Sequence, residues 1–430
     1  MNGAAAWQAL LAGTQAVFTA PSFGIFADLV TGWALCPGRR TITRIIGIVD
    51  PDGRRAHDAY HRFLRTGRWS MAALWQALTL TAVATLCPHG VVALDLDDTL
   101  FHKTGRHIAG AGSFRDAIRS TRRRIVYAHG LNLVVLTLRI TPPWGGEPLG
   151  LPVNMRVYRK GGPTHNELAE AMIEQVAGWL GDRMFRLGCD GAYAGLAGRN
   201  LPRTHVVSRM RRDAALYAPA PPRTGKPGRP RKKGDRLPTP TQIAAQASQA
   251  DWTRATINLR GKHVERLVCS RQLLWYRVCP DRLVGLVIVR DPDGHEPDDF
   301  FFTTDLDAAP AEVAGFYAGR WSIEDTFAQH QQFLGGEDPQ TWTADGPERA
   351  AALSLWLSTA IWLWYIPAYG TTPSWPTLPW YPSKATPSFI DALAALRRTL
   401  WRQRITTLSP QEPLPAKITD TLIDTLARAA

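Results

Sequence analysis

The sequence predicts an α/β protein, a sheet-centred core with helices before and after it, on three observations. Residues 1 to about 88 read as helical, with Ile42 to Ile48 and His57 to Leu80 the clearer periodic segments. From Val91 the pattern changes to apolar runs of strand character: Val91 to Asp97, two strands within Ile125 to Ile140 around His129-Gly130, Leu151 to Tyr158, Phe185 to Cys189 and Thr204 to Ser208. Between them His165 to Leu180 sets Leu168, Met172, Val176 and Leu180 on one helical face.

Composition bounds the reading. The chain has 430 residues, 45% hydrophobic and 20% charged, which describes a folded globular protein of two or three domains or one domain with insertions. Fifty Lys and Arg against 37 Asp and Glu leave a net charge of +13, so polyanions come first among partners, and nucleic acid before a membrane surface. The five cysteines are an odd set without a CxxC pair, which argues against a zinc site or a disulfide framework and for reduced, cytosolic thiols. The N-terminus lacks a basic n-region, so no signal peptide is expected. Ala350 to Tyr369 approaches the length of a bilayer span but follows directly on a polar helix, and it reads as a buried core helix.

Strands, helix, strand, short helix, strand is the order of a ribonuclease H-like core, in which acids at the ends of two central strands approach one another. The next helix of that order arrives late, after a β-rich insertion. The insertion opens on Pro219 to Pro240, where Arg229, Arg231, Lys232 and Lys233 form a basic linker suited to phosphates, with a Gly-Arg-Pro match to minor-groove peptides. Strand-like pieces follow at Val264 to Cys269, Leu273 to Val278 and Leu283 to Val289. The expected organisation is a helical DNA-end-binding domain at 1–88, core at 89–210, linker and β insertion at 211–300, core again at 301–370 and a C-terminal helical region at 371–430.

The chemistry concentrates in three places. Asp95-Leu-Asp97-Asp98-Thr99 ends the first strand, Asp190 ends a later one, and a helix from about Ala311 carries Tyr317, Arg320 and Glu324 on one face. Carboxylates of this kind suit divalent metal, and the phenol and guanidinium suit a phosphate. A competing reading takes Asp95 as nucleophile and Asp97 as acid-base of a haloacid dehalogenase-type phosphatase. That reading gives no role to the late helix or to the positive charge. On the pleat Asp95 and Asp97 face one way and Asp98 the other.

Asp98-Thr99, Gly188-Cys189-Asp190-Gly191 and Tyr317-x-x-Arg320-Trp321-x-Ile323-Glu324 resemble the DDE transposases of bacterial insertion sequences, in the branch with the Tyr-Arg-Glu signature. The resemblance spans roughly residues 90 to 365. It implies Asp98, Asp190 and Glu324 as catalytic ligands of two Mg²⁺ or Mn²⁺ ions, with Asp98 chosen over Asp97 and Asp95 because it directly precedes Thr99. Tyr317, Arg320 and Lys103 are then expected on DNA phosphates and Trp321 packed onto the sheet. The Lys that usually follows the Glu by seven residues is Gln331 here. The implied partners are double-stranded DNA, both terminal inverted repeats and target, and a second copy of the chain, in a bacterial cytoplasm at the nucleoid. A catalytically inactive DNA-binding relic of such a transposase remains the third reading.

Overall fold

The computed structural model describes residues 3–121, 123–222, 231–370, 372, 375, 379–408 and 415–429. Five helices come first: α1 (Gly3–Ala12), α2 (Ala20–Leu35), α3 (Ile42–Val49), α4 (His57–Thr66) and α5 (Met71–Leu86). Helix α3 shows why they form: Thr41 accepts the amide of Arg44 as an N-cap, and Ile42, Ile45, Ile46 and Val49 bury one stripe. The periodic stretch from His57 to Leu80 is two helices, not one. Gly67 stands at the end of α4 and Ser70 caps α5 by accepting the amide of Ala73, so the chain turns by 88° between them.

The core sheet has ten strands: β1 (Val92–His102), β2 (Gly112–Arg115), β3 (Tyr127–Ile140), β4 (Leu149–Tyr158), β5 (Phe185–Cys189), β6 (Thr204–Arg209), β7 (Thr253–Leu259), β8 (Lys262–Leu273), β9 (Val284–Arg290) and β10 (Asp299–Thr303). Their order is β2-β3-β1-β5-β6-β10-β9-β8-β7, with β4 on β3. The acid-bearing strands β1 and β5 are parallel neighbours at its centre. Two sequence expectations change here. The stretch from 125 to 140 is the single strand β3, because Gly130 lies against the carbonyl of Phe101, where any Cβ would collide with backbone; this glycine allows close approach rather than a turn. Strands β7 to β9 are not a separate β unit either, since β9 pairs with β10 and β10 with β6, making them the far half of the same sheet.

Helix α6 (His165–Trp179), started by the reciprocal capping box of Thr164 and Glu167, packs on β3 and β4, and α7 (Pro240–Gln246) follows the basic linker. Helix α8 (Pro310–Gly319) lies across strands β5 to β10, and α9 (Ser322–Leu334) continues onto β1 and β4. Helix α10 (Gly346–Tyr369) is long and apolar enough to cross a membrane, yet 94% of its apolar window is buried inside the protein. It is the core helix the sequence suggested, apolar all round because protein surrounds it. Helices α11 (Phe389–Leu408) and α12 (Ala416–Arg428) close the fold, tied back by the buried Arg397, which donates to the carbonyls of Ala34 at 2.7 Å and Ala429 at 2.8 Å.

Candidate active site

The acids of β1 go to two faces, as the pleat requires. Asp95 is fully buried, gripped by the forked guanidinium of Arg139 and facing the hydroxyl of Ser322. Arg139 also donates to the carbonyl of Phe316 at 2.6 Å and lies over that ring at 4.0 Å, so the pair is a structural rivet under α8 and α9. An enclosed carboxylate of this kind has no approach for a substrate, which removes the geometry needed by the phosphatase reading.

Asp97, two residues on, faces the same way and nearer solvent. Arg320 reaches it with Nη1 at 2.7 Å and gives Nη2 to Glu324 at 2.6 Å, so one guanidinium joins a strand acid to a helix acid. The register pairs Leu96 with Cys189, and one step further sets Asp97 beside Asp190 on the neighbouring parallel strand. Burial pushes the Asp97 carboxyl up to about 7 against the pull of Arg320, and the charges of Asp98 and Asp190 add to the rise. Asp190 caps the short 3-10 helix Gly191–Gly198 by accepting the amide of Ala192 at 2.6 Å, while its own carbonyl accepts the hydroxyl of Ser208 at 2.9 Å.

Asp98 is exposed and sits on the other face. It accepts the phenol of Tyr193 at 3.1 Å and the amide of Asn132 at 3.1 Å, and Asn132 in turn meets His165 at 2.9 Å. Burial, with Asp98 next to it, keeps the Tyr193 hydroxyl protonated and able to donate. The fold therefore brings Asp97, Asp190, Arg320 and Glu324 together and directs Asp98 into a different network. Sequence reasoning missed Asn132 and Tyr193 and gave His165 only a structural or solvent-facing role, because their contacts to Asp98 and to one another cross between elements far apart in the chain.

The signature motif does not lie on one regular helix. α8 ends at Gly319 and α9 begins at Ser322, and the junction is tightened by i to i−3 bonds, Arg320 N to Tyr317 O at 3.1 Å and Glu324 N to Trp321 O at 3.0 Å. Tyr317 is 9% exposed and packs its ring on Phe301 at 4.7 Å, with Arg209 at 5.9 Å and Arg320 at 5.5 Å from its centroid. Trp321 does not pack onto the sheet: it is 44% exposed with Arg260 over its ring at 5.3 Å. Arg209, Arg260, Arg266, Tyr317, Arg320 and Trp321 line a cleft of about 260 Å³, together with Glu296 and Asp299, and it reaches the acid pair through Arg320.

Lys103 is held inside the protein, donating to the carbonyls of Glu337 at 2.7 Å and Pro339 at 3.3 Å, and burial lowers its pKa to about 8. Its ammonium braces the loop after α9 instead of facing the cleft. In the basic linker Lys233 lies over the Tyr217 ring at 3.7 Å and the Tyr276 ring at 5.0 Å, Arg231 pairs with Asp235 at 3.3 Å, and Lys232 is exposed. Arg229 lies outside the described residues.

Comparison with known families now decides the affiliation. A family model described as DDE superfamily endonuclease matches residues 24–264, more than half the chain. The chain belongs to the DDE superfamily endonucleases. A search for similar curated proteins finds no match. The matched span of this DDE endonuclease holds β1 and β5 with their acids, and the Tyr317 to Glu324 segment lies beyond it. Family membership implies a DNA substrate and divalent metal. The donor chemistry fits, because carboxylate oxygens are the ligands hard cations prefer and the crowded charges on Asp97, Asp98 and Asp190 are what a dication relieves. Among the described residues no three such groups are already arranged to hold a metal ion; in this endonuclease the guanidinium of Arg320 stands between two of them.

Proposed function

We propose that this endonuclease is the transposase of a bacterial insertion sequence, of the Tyr-Arg-Glu branch, with a ribonuclease H-like core that cuts the ends of its element and joins the 3′ ends to target DNA. One observation carries the reading: Arg320 links Asp97 to Glu324 across β1 and α9, with Asp190 adjacent and Tyr317 alongside. Asp190 and Glu324 keep the ligand roles expected from the resemblance. For the first acid the geometry favours Asp97 over Asp98, because Asp97 shares a face with Glu324 and Asp98 does not.

Asp97, Asp190 and Glu324 would hold Mg²⁺ or Mn²⁺. A pair of such ions, when bound, supplies a reactive water or 3′-hydroxyl near neutral pH and stabilises the leaving oxygen. The chain's own residues do the rest. Arg320 carries a planar fork that matches phosphate as well as carboxylate, so an incoming phosphodiester can take the guanidinium away from Asp97 and Glu324 and free both. Tyr317, kept protonated by burial, offers an O–H beside it. Arg209, Arg260 and Arg266 line the cleft paired in turn with Asp299, with Glu147 and Asp325, and with Glu296, acids that an incoming phosphate would displace. Asn132 and Tyr193 hold Asp98 on the far face. The +13 charge suits the wider duplex, with two copies bridging two DNA ends.

Purified protein incubated with Mg²⁺ or Mn²⁺ and a plasmid bearing the DNA that flanks its gene, beside a Glu324→Gln variant, tests the proposal. Metal-dependent breaks at the element ends, absent in the variant, are the expected result. End binding without cutting in either protein would return the chain to the inactive relic, and an absence of end binding would sink the transposase reading altogether.

A further inference from the structure

A second cleft, of about 420 Å³, opens between α4 and the loop after α9, lined by His57, His61, Arg65, Gln340, Thr341 and Trp342. Its chemistry is unlike that of a surface dent. Trp342 is an aromatic left 52% exposed, on a loop where it packs no core. His57, the first residue of α4, and His61 stand one turn apart with rings 4.7 Å from each other, and the Nε2 of His57 meets the Thr43 hydroxyl at 3.1 Å. Arg65 continues the line one turn further and makes no ion pair among the described residues, whereas the acid nearby, Asp58, is already matched by Arg62 at 3.2 Å. Thr341 is only 8% exposed and its hydroxyl has no hydrogen-bond partner among the described residues.

The cleft is also rigidly placed. Asp345 N reaches the carbonyl of Arg65 at 3.4 Å, Arg349 caps the end of α4 at Gly67 O at 2.8 Å, and Ala109 N holds Trp342 O at 2.8 Å. Lys103, at the end of β1, grips Pro339 directly before Gln340. The same strand therefore carries the acids and braces this loop. Lys103 lies six positions after Asp97, at the end of that strand, so the cleft loop is anchored to the strand that carries the acids.

We propose that this cleft is a second DNA-strand site, away from the reacting phosphate, which holds a backbone phosphate on His57, His61 and Arg65 while the adjacent sugar and base lie against Trp342. This rests on the nucleic-acid reading above and adds the residues that hold the strand away from the cut. The Arg65 guanidinium, with imidazole N–H groups beside it, selects the phosphate, and the exposed indole supplies a sequence-tolerant surface for the nucleotide next to it.

The full chain is titrated with a labelled duplex of the gene's flanking DNA at several salt concentrations, followed by hydroxyl-radical footprinting. Trp342→Ala is expected to weaken binding about tenfold at every salt concentration, as loss of a stacking surface does. Arg65→Gln is expected to lower the slope of log affinity against log salt by about one. The double variant is expected to lose a patch of protection separate from the cut, and thermal melting that matches the parent establishes that the fold is kept. If the parent binds and cuts its ends while both variants keep its affinity, slope and footprint, the cleft is not a DNA site and the active-site reading stands. A parent that binds no DNA overturns both.

Discussion

Two arginine–carboxylate pairs sit on one face of β1, two residues apart, and they are built for opposite purposes. Asp95 and Arg139 are both enclosed: the fork is bidentate, Ser322 faces a remaining lone pair, and the guanidinium rests on Phe316. Asp97 and Arg320 meet end-on at the rim, Arg320 divides itself between two acids, and its Nε has no partner. The first arrangement leaves nothing for a ligand to gain. The second leaves a donor unsatisfied and two carboxylates that share one cation, so a phosphate and a dication can replace it. A fully satisfied buried pair holds a fold, and an under-satisfied one at the edge can be exchanged.

The contrast can be broken first where its effect is largest. Asp97→Asn and Glu324→Gln should each reduce strand cleavage by well over the roughly 100-fold typical of an outer-shell change, with melting temperature kept. Asp98→Asn should cost less, and a gel assay in which Asp98→Asn is dead while Asp97→Asn cuts would reverse the assignment. The inner pair should fail differently: Arg139→Ala strands a buried carboxylate and should cost about 3–5 kcal/mol of stability in urea unfolding. The double change Asp95→Leu with Arg139→Met should recover most of that loss. An Arg139→Ala protein that unfolds at the parent's urea midpoint would show that the rivet carries no load.

A smaller effect separates Arg320 from a plain structural cation. With Arg320→Ala, Mn²⁺ binding by the DNA-free protein should tighten about tenfold, as expected from removing a competing charge, while cleavage falls. Calorimetry that finds unchanged Mn²⁺ affinity would mean the guanidinium does not hold the acids closed. The smallest effect lies outside the site. At Asp50 burial alone would raise the pKa, but the backbone amides of Arg55 and Arg54 and the Arg54 side chain bring it down to about 2 from an ordinary 3.8. A depressed carboxylate contributes stability that is complete above the unfolded value and lost as pH falls through the folded one. The stability gap between the parent and Asp50→Asn should therefore be constant near neutrality and close between about pH 4 and 2; a gap still open at pH 2 would contradict it.

Local signals in the chain were sufficient wherever a single element could bury its own stripe. The Ile42 to Val49 helix, the His165 helix with its Thr164 cap, the first strand with its run of acids and the apolar α10 all stand where periodicity placed them. Affiliation to the DDE endonucleases was legible too, because acids at strand ends and a late Tyr, Arg and Glu are local patterns. Long-range contacts were not. Gly130 reads as a turn until the carbonyl of Phe101 is seen against it, and Lys103 reads as a free phosphate contact until Glu337 and Pro339 accept its protons. Trp321 reads as core until it is seen 44% exposed, with Arg260 over its ring.

By itself the sequence determined the mixed α/β class and most of the order of its elements, since these follow from residue type and spacing within one segment. Only the tertiary structure decided which of three neighbouring aspartates shares Arg320 with Glu324, that strands 253–290 extend the central sheet, and that Trp342 shares a cleft with one face of α4. The physical reason is the same in each case. A strand fixes only which side of the sheet a side chain leaves from, and what waits on that side is chosen by chain hundreds of residues away.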